Sequence, residues 1–201
     1  MNRSTRARPT DDELLDAART VFVECGFRAT TMNAIADRSG STKPTLYAHF
    51  GDKNTLYRRL LDREAAACRA RLFAEYERND GLGLRTQVAA DTQALFDYAA
   101  AEPDGFRLLF GVDITSDTIA VRELLLADID EQVTRRIRAY LTARGLPPRD
   151  DERRLANILV GVATTSARHA IDHGLDLTSA ARLAADFSTA ALVNLPAVPS
   201  S

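Results

Sequence analysis

The sequence predicts an all-α protein. Residues that favour helices, above all Ala, Leu and Arg, recur along the chain, whereas it has no Trp and only 10 Gly and 7 Pro in 201 residues. Apolar residues repeat at helical spacing between clear capping and stop signals. A content of 45% hydrophobic and 27% charged residues is typical of a chain that folds around a packed core.

The first predicted helix carries a signal at each end. Thr10 and Glu13 have the spacing of a capping box, in which each side chain bonds to the backbone N–H of the other. Gly26 supplies a residue that readily adopts the left-handed conformation at a helix end. Between them, one apolar stripe has helical spacing and consists of Leu14, Ala18, Val21 and Phe22.

Two short helices are predicted next, over 32–38 and 43–50, separated by a turn around Gly40. Thr42 is a good N-cap for the second, and Pro44 is compatible with its first turn. The expected buried residues are Ile35 and Ala36 in the first helix and Leu46 and Phe50 in the second. Together with the helix before them, these segments predict a helix-turn-helix unit.

A long helix is predicted to start after Asp52 and to continue to 79–81, with an apolar face of Leu56, Leu60, Leu61, Ala65, Cys68 and Leu72. Further breaks are predicted at 102–105, 111–117, 145–148 and 173–174, with a last helix over 179–194. The sequence therefore predicts about nine helices in two parts, an N-terminal unit over 1–51 and a larger helical domain over 52–201.

Charge and cysteine content narrow the class of protein. Residues 1–60 contain 10 basic and 7 acidic side chains, while 61–201 contain 16 and 21, so the first part is cationic and the second anionic. Cys25 and Cys68 lie in no CxxC or Cys/His cluster, which favours reduced thiols and a cytoplasmic location. No secretory signal and no run of about 18 apolar residues is present, so no membrane partner is expected.

Enzyme signatures are weak. His169 and His173 stand four residues apart on a predicted helix, a spacing that can place two imidazoles on one metal ion. The pair lacks the glutamate of an HExxH site and has no evident third ligand, so contact with a ligand or with a dimer partner is favoured. No Walker A run or Gly-x-Ser-x-Gly elbow occurs, and neither a metal nor a cofactor is expected.

The run TMNAIADRSGSTKPTLYAHFGDK, residues 31–53, resembles the DNA-binding signature of TetR-family transcriptional regulators. The matching positions are Gly26, Phe27, Arg28, Thr30, Thr31, Ile35, Ala36, Gly40, Thr45, Leu46, Tyr47, His49, Phe50 and Lys53. Ser39 and Ser41 depart from the Ala and Val more usual beside the turn glycine, which predicts a slightly looser turn. The resemblance implies a homodimer that binds a palindromic operator and responds to a small-molecule inducer.

A recognition helix presents its N-terminal residues to base edges in the major groove. We therefore expect base contacts from Lys43, Thr45 and Ala48 and, by resemblance, from Asn33 on the preceding helix. The residues expected to contact the DNA backbone are Thr31, Tyr47, His49 and Lys53. An arm that enters the minor groove is conceivable from Arg3, Arg6 and Arg8, but a solvated tail is favoured for so short a segment.

The larger part has two candidate surfaces. Aromatic and aliphatic residues on several helices either line a pocket or fill the core, and they are Phe96, Phe106, Leu109, Phe110, Leu126, Ile129 and Tyr140. Apolar faces of the last two helices are expected to form half of an intersubunit four-helix bundle, or to pack within one subunit, and they include Leu155, Ile158, Leu159, Val162, Ala184, Phe187 and Ala191.

The sequence therefore predicts a ligand-responsive transcriptional regulator, and the family's usual behaviour favours a repressor that an inducer releases from DNA. Two alternatives remain open. One is a DNA-binding activator or scaffold that needs no ligand, and the other is an all-α metal-dependent enzyme that uses His169 and His173.

Overall fold

A computed structural model describes residues 9–195, which form nine α-helices and no strand. The helices are α1 (Asp11–Ala29), α2 (Met32–Ser39), α3 (Lys43–Phe50), α4 (Lys53–Arg78), α5 (Leu84–Ala101), α6 (Pro103–Phe110), α7 (Ser116–Ala143), α8 (Glu152–His173) and α9 (Leu177–Val193). This confirms the predicted all-α class and helix count. The arginines of the predicted N-terminal arm, Arg3, Arg6 and Arg8, lie outside the described residues.

The N-terminal helices follow their sequence signals. Thr10 and Glu13 form the predicted capping box, with the Thr10 N–H donating to the Glu13 carboxylate at 2.8 Å. The apolar stripe of α1 is buried, and Gly26 has a φ of 75°. Gly26 therefore interrupts the helix where the sequence predicts its end, and a further helical turn follows this kink and reaches Ala29.

The side chains of Thr31 and Thr42 cap α2 and α3, and Gly40 between them is left-handed with a φ of 62°. The predicted inner residues of both helices are buried, which joins α2 and α3 to α1 in one small core. The opposite faces of α2 and α3 remain exposed to solvent.

Helix α4 connects the small core to the rest of the chain. Asp52 caps it by accepting a hydrogen bond from the Thr55 N–H at 2.7 Å, and its predicted apolar face is buried along its whole length. Burial raises the pKa of the Cys68 thiol on this face to about 12, whereas Cys25 on α1 is exposed.

Helices α5, α6 and α7 pack against α4. Helix α5 lies against α9, α7 against α8, and α8 against α9, while α6 reaches back to α1 and α4. One continuous hydrophobic cluster runs from α1 to α9, and a smaller one joins α7, α8 and α9. None of the helices within 9–195 is long and apolar enough to cross a bilayer.

The predicted break over 102–105 is wrong in extent. Only Glu102 separates α5 from α6, because Pro103 begins α6, where the first turn has no use for its missing N–H. Gly105 is buried in α6, and a Cβ there would overlap the Glu64 carboxylate and lie 3.0 Å from the Tyr98 hydroxyl. This glycine therefore marks a close helix contact and not a turn.

Candidate nucleic-acid interface

The expected base-reading residues lie on the solvent side of α2 and α3. Asn33, Lys43 and Ala48 are exposed, and Thr45 is half-buried with its hydroxyl 2.8 Å from that of Thr42. Among residues 9–195, no carboxylate lies within 4.0 Å of the Lys43 ammonium group, so its charge is free to meet DNA. Its Nζ atom instead lies 5.9 Å from the ring centroid of Tyr47, which is also exposed.

Thr31 is placed at the N-terminus of α2, where its hydroxyl accepts a hydrogen bond from the Ala34 N–H at 3.1 Å. The free N–H groups of a helix start attract phosphate, which is the environment of Thr31. Tyr47 lies further along α3, and its side chain is exposed, as is that of Thr31.

The Lys53 side chain makes contacts within the chain. Its Nζ atom donates to the carbonyl oxygens of Phe27 at 2.8 Å and Thr30 at 2.9 Å, and it lies 4.5 Å from the Phe27 ring centroid. The ammonium group therefore ties the end of α1 to the start of α4. Two of its three N–H donors are used in this way, and the Lys53 backbone N–H, in the first turn of α4, is a further donor for a phosphate oxygen.

His49 is also engaged within the chain. Its Nδ1 atom lies 2.5 Å from a carboxylate oxygen of Asp11, and Arg59 donates to the other oxygen at 2.6 Å. These hydrogen bonds, first from His49 and then from Arg59, lower the pKa of Asp11. The His49 Nε2 atom is buried without a hydrogen-bond partner among the described residues. The imidazole thus links α3 to α1 and α4.

Sequence reasoning missed Arg28 as a candidate contact. It is exposed at the kinked end of α1, and no carboxylate of the described chain lies within 4.0 Å of it. The sequence did offer a signal for Arg28, which is one of the positions that carry the family resemblance. It is also one of the few basic residues in that segment without an acidic neighbour in sequence.

A cavity opens between α4, α5, α7, α8 and α9. Its apolar lining includes Leu72, Val88, Leu95, Val133, Leu159 and Ala163. Of the residues predicted for a pocket, only Ile129 lines this cavity. Phe110 and Leu126 line a separate surface groove, Tyr140 packs against the smaller cluster, and Phe96, Phe106 and Leu109 fill the core.

One ion pair supplies the charges in the cavity lining. The Arg136 Nη1 atom lies 3.2 Å from the Asp91 carboxylate, and Arg136 also donates to the Tyr76 carbonyl oxygen. Desolvation raises the pKa of Asp91 to about 6, against the opposing effect of Arg136. The sequence contained a signal for this pair, since Asp91 interrupts the apolar stripe of Leu84, Val88 and Leu95.

The predicted dimer residues divide into three groups. Ile158 and Phe187 are 57% and 58% exposed, and Ala191 is also exposed. Leu155, Leu159 and Val162 are half-buried against the subunit's own clusters. Ala184 is only 3% exposed and belongs to the core of the subunit, which corrects its assignment to the dimer interface. Its neighbour Leu183, which was not among the predicted interface residues, is 72% exposed.

The rings of His169 and His173 lie next to each other in a tilted arrangement, with centroids 4.1 Å apart and an interplanar angle of 37°. The Nδ1 atom of His173 lies 2.9 Å from the carbonyl oxygen of His169, which uses that nitrogen within the helix. Within the described stretch, no group of three or more His, Cys, Asp or Glu side chains is arranged to hold a metal ion.

Residues 14–60 match the model of a family described as bacterial regulatory proteins, tetR family. The chain therefore carries the DNA-binding domain of TetR-family transcriptional regulators. The family is non-enzymatic and binds DNA, so the match argues against the metal-dependent enzyme and implies operator DNA as a partner.

Relatives of this chain include both activators and repressors of transcription. It is 29% identical to the transcriptional activator FasR of Mycolicibacterium smegmatis over 97% of this chain and 90% of that protein. It is 38% identical to the transcriptional repressor ComR of Escherichia coli, over 36% of this chain and 38% of that protein. The fold is shared with FadR of Bacillus subtilis, solved in complex with stearoyl-CoA, with a TM-score of 0.74 at 14% identity over 92% and 98% of the two chains.

Proposed function

We propose that this protein is a homodimeric repressor that binds a palindromic operator and leaves it when a small apolar ligand enters the cavity. The observation that carries this proposal is the course of α4. Its first half contacts α1 through Lys53 and Tyr57 and α3 through Arg59, whose Cζ atom lies 5.0 Å from the Phe50 ring centroid. Its second half lines the cavity through Leu72 and Tyr76. A ligand that displaces α4 from the cavity side therefore also moves the DNA-binding part at the other end of this helix.

The proposal divides the chain into a DNA-binding part over 1–51 and a ligand-binding and dimerisation part over 52–201. Base contacts are assigned to Asn33, Lys43, Thr45 and Ala48. Backbone contacts are assigned to Thr31, Tyr47 and the Lys53 N–H, with Arg28 added. His49 is assigned the role of positioning α3.

The exposed apolar side chains of α8 and α9 support a dimer. Ile158, Leu183 and Phe187 are each more than half exposed, and an apolar surface of this kind on a monomer marks an interaction site. Two helices from each of two copies form a four-helix bundle with two-fold symmetry. That symmetry matches two reading helices to successive major-groove faces about 34 to 36 Å apart.

The cavity supports a mainly apolar ligand. Most of its lining is aliphatic, and its charged residues, Asp91 and Arg136, already pair with each other. The complex of FadR with stearoyl-CoA, a protein of the same fold, makes an acyl chain a reasonable occupant. Coupling between two sites is usually worth about 1 to 3 kcal/mol, so bound ligand is expected to weaken operator binding about 5- to 150-fold.

A second candidate is an activator. The specific observation in its favour is the similarity to the activator FasR over nearly the whole chain. An activator binds the same kind of DNA through the same face, so the two candidates differ in the effect of bound protein on transcription. In vitro transcription from a template carrying the selected operator separates them, because the repressor lowers transcript yield and the activator raises it.

The test begins with selection of duplexes from a random library by the purified full-length protein. We expect an inverted repeat, bound by two copies, with affinity that falls steeply as salt rises. Leu183→Glu is expected to give a monomer with greatly weakened operator binding, because a charge enters the apolar face. Leu124→Glu is the matched control, since Leu124 is 65% exposed on α7, outside that face.

A separate variant tests the proposed binding of ligand in the cavity. Ala163→Leu adds carbon atoms to the wall of the cavity and is expected to leave operator binding intact while it abolishes the response to ligand. A strictly monomeric wild-type protein, or one that selects no duplex at low ionic strength, contradicts the proposal.

A further inference from the structure

A groove on the surface of the larger part carries positive charge without acidic lining. It lies between the α6–α7 connector, α7 and α8, and its charged lining residues within 9–195 are Arg122 and Arg168. The rest of the groove is apolar or neutral and comprises Phe110, Gly111, Val112, Ile114, Leu126, Thr164 and Thr165.

Neither arginine is neutralised by a close carboxylate. Arg122 is half-buried, and no carboxylate of the described chain lies within 4.0 Å of it. Arg168 has Asp172, one turn further along α8, only at 4.0 Å. Such a weak i,i+4 contact contributes little, so both guanidinium groups retain donors for another partner.

The groove adjoins the apolar cavity. Thr164 lines both, and its hydroxyl donates to the Val160 carbonyl oxygen of its own helix at 2.8 Å. The hydroxyl is thus satisfied locally and needs no partner in either space. A molecule that passes Thr164 meets aliphatic side chains on one side and two arginines on the other.

We propose that the groove binds the phosphate-bearing head of an amphiphile whose apolar tail lies in the cavity. Arginine presents planar, paired donors that fit phosphate oxygens, and two arginines in one groove favour a group with more than one negative charge. This inference rests on the proposed function for the cavity, and it adds the chemistry of the ligand head.

The inference also gives the exposed apolar residues of the connector a role. Val112 and Ile114 are exposed beside the arginines, next to Asp113, which bonds to the Phe27 N–H near the reading helices. A head group held in the groove therefore contacts the segment that reaches the DNA-binding part. Ligand binding there moves or stiffens the connector directly.

The experiment compares three probes with one tail, which are n-octyl phosphate, octanoate and 1-octanol. Their binding to the full-length protein is measured by isothermal titration calorimetry. We expect octyl phosphate to bind at least about tenfold more tightly than octanol, because charge-assisted hydrogen bonds are the stronger class. Octanoate is expected between them, and an affinity equal to that of octyl phosphate assigns the groove to carboxylates and overturns the phosphate proposal.

Arg122→Gln with Arg168→Gln is the decisive variant. It is expected to bring octyl phosphate to within about twofold of octanol while the affinity for octanol stays unchanged. Arg135→Gln, an exposed arginine on α7 outside both linings, is the matched control and is expected to behave as wild type. Circular dichroism and operator binding without ligand establish that each variant is folded.

The outcomes separate this inference from the function on which it rests. If octanol binds and releases the operator but octyl phosphate has no advantage, the groove assignment is overturned and the regulator stands. If the double variant loses affinity for all three probes alike, the arginines are structural and the inference also fails. Binding by none of the probes overturns both the head-group site and the apolar ligand.

Discussion

The Asp113 carboxylate accepts a hydrogen bond from the Phe27 N–H at 2.8 Å. This bond joins the α6–α7 connector to the kink of α1, where Gly26 has a φ of 75°. A side chain at Gly26 would adopt a rarely populated backbone conformation, and its Cβ would lie 2.8 Å from the same carboxylate oxygen. The contact therefore spans the two parts of the chain at a point built for close approach.

Asp113→Ala is expected to weaken this connection. A hydrogen bond to a charged group in a solvent-exposed setting contributes about 1 kcal/mol, so operator affinity in the absence of ligand should fall about fivefold. Asp113→Asn keeps an acceptor oxygen and is expected to stay within about twofold of wild type. Fluorescence anisotropy with a labelled operator measures both. Equal losses in the two variants would assign the effect to the charge and not to the hydrogen bond.

Gly105→Ala is expected to destabilise the protein by about 1 to 3 kcal/mol, because the added methyl group forces apart α6, Glu64 and Tyr98. Urea-induced unfolding measures this loss. Gly83→Ala is the comparison, since nothing lies within 4 Å of a Cβ there and its φ of −60° suits any residue. We expect a change below about 0.5 kcal/mol for Gly83→Ala, and a similar small change at Gly105 would disprove the close contact.

Lys53→Met and Lys43→Met form a matched pair. Lys53→Met removes two hydrogen bonds to the carbonyl oxygens of α1 and its kinked end, so we expect a loss of about 2 kcal/mol in unfolding free energy. Lys43→Met touches no such bond and is expected to leave stability unchanged while operator affinity falls. Urea unfolding and anisotropy are measured on both variants. An unchanged stability of Lys53→Met together with weaker operator binding would instead support the phosphate contact predicted for its side chain.

Asp91 introduces a pH dependence. Its pKa is raised by desolvation from 3.8 to about 6, so the folded protein binds a proton on Asp91 at pH values where the unfolded chain has released it. Stability from this group is therefore present at low pH and lost as pH rises through about 6. Between pH 5 and pH 7, wild type should lose about 1 kcal/mol more than Asp91→Asn. Three nearby groups also shift the pKa of Asp91, since Arg136 and Asn79 lower it and Asp80 raises it. These groups are unchanged between the two pH values.

Urea unfolding of wild type and Asp91→Asn at the two pH values measures this difference. Subtracting the variant removes the contributions of all other titrating groups, provided that both proteins unfold in one transition. Parallel pH profiles would show that the Asp91 carboxylate stays ionised throughout.

Local signals predicted the fold well. The capping residues Thr10, Thr42 and Asp52 and the turn at Gly40 have short-range causes that the sequence displays directly. Burial of the apolar stripes follows from their spacing alone. The prediction of a break over 102–105 was wrong because Gly105 does not mark a turn. It lacks a side chain because its helix packs closely against a helix about forty residues earlier in the chain.

The site was less predictable. Lys53 and His49 bond to partners 23 to 38 residues away in sequence, and no periodicity encodes which oxygen a long side chain reaches. The cavity was missed for a related reason. Spacing identifies the buried face of a helix, but it does not distinguish a face that meets other atoms, as Phe96 does, from one that borders empty space, as Val88 does.

The contrast between the two cysteines makes the native chain suitable for site-specific labelling. Cys68 is shielded and its thiol stays protonated, so a maleimide dye or nitroxide attaches at Cys25 alone. In a symmetric pair of subunits, the two labels lie close to the DNA-reading ends. Dipolar spectroscopy between them then follows the separation of those ends as operator and effector are added, without any engineered residue.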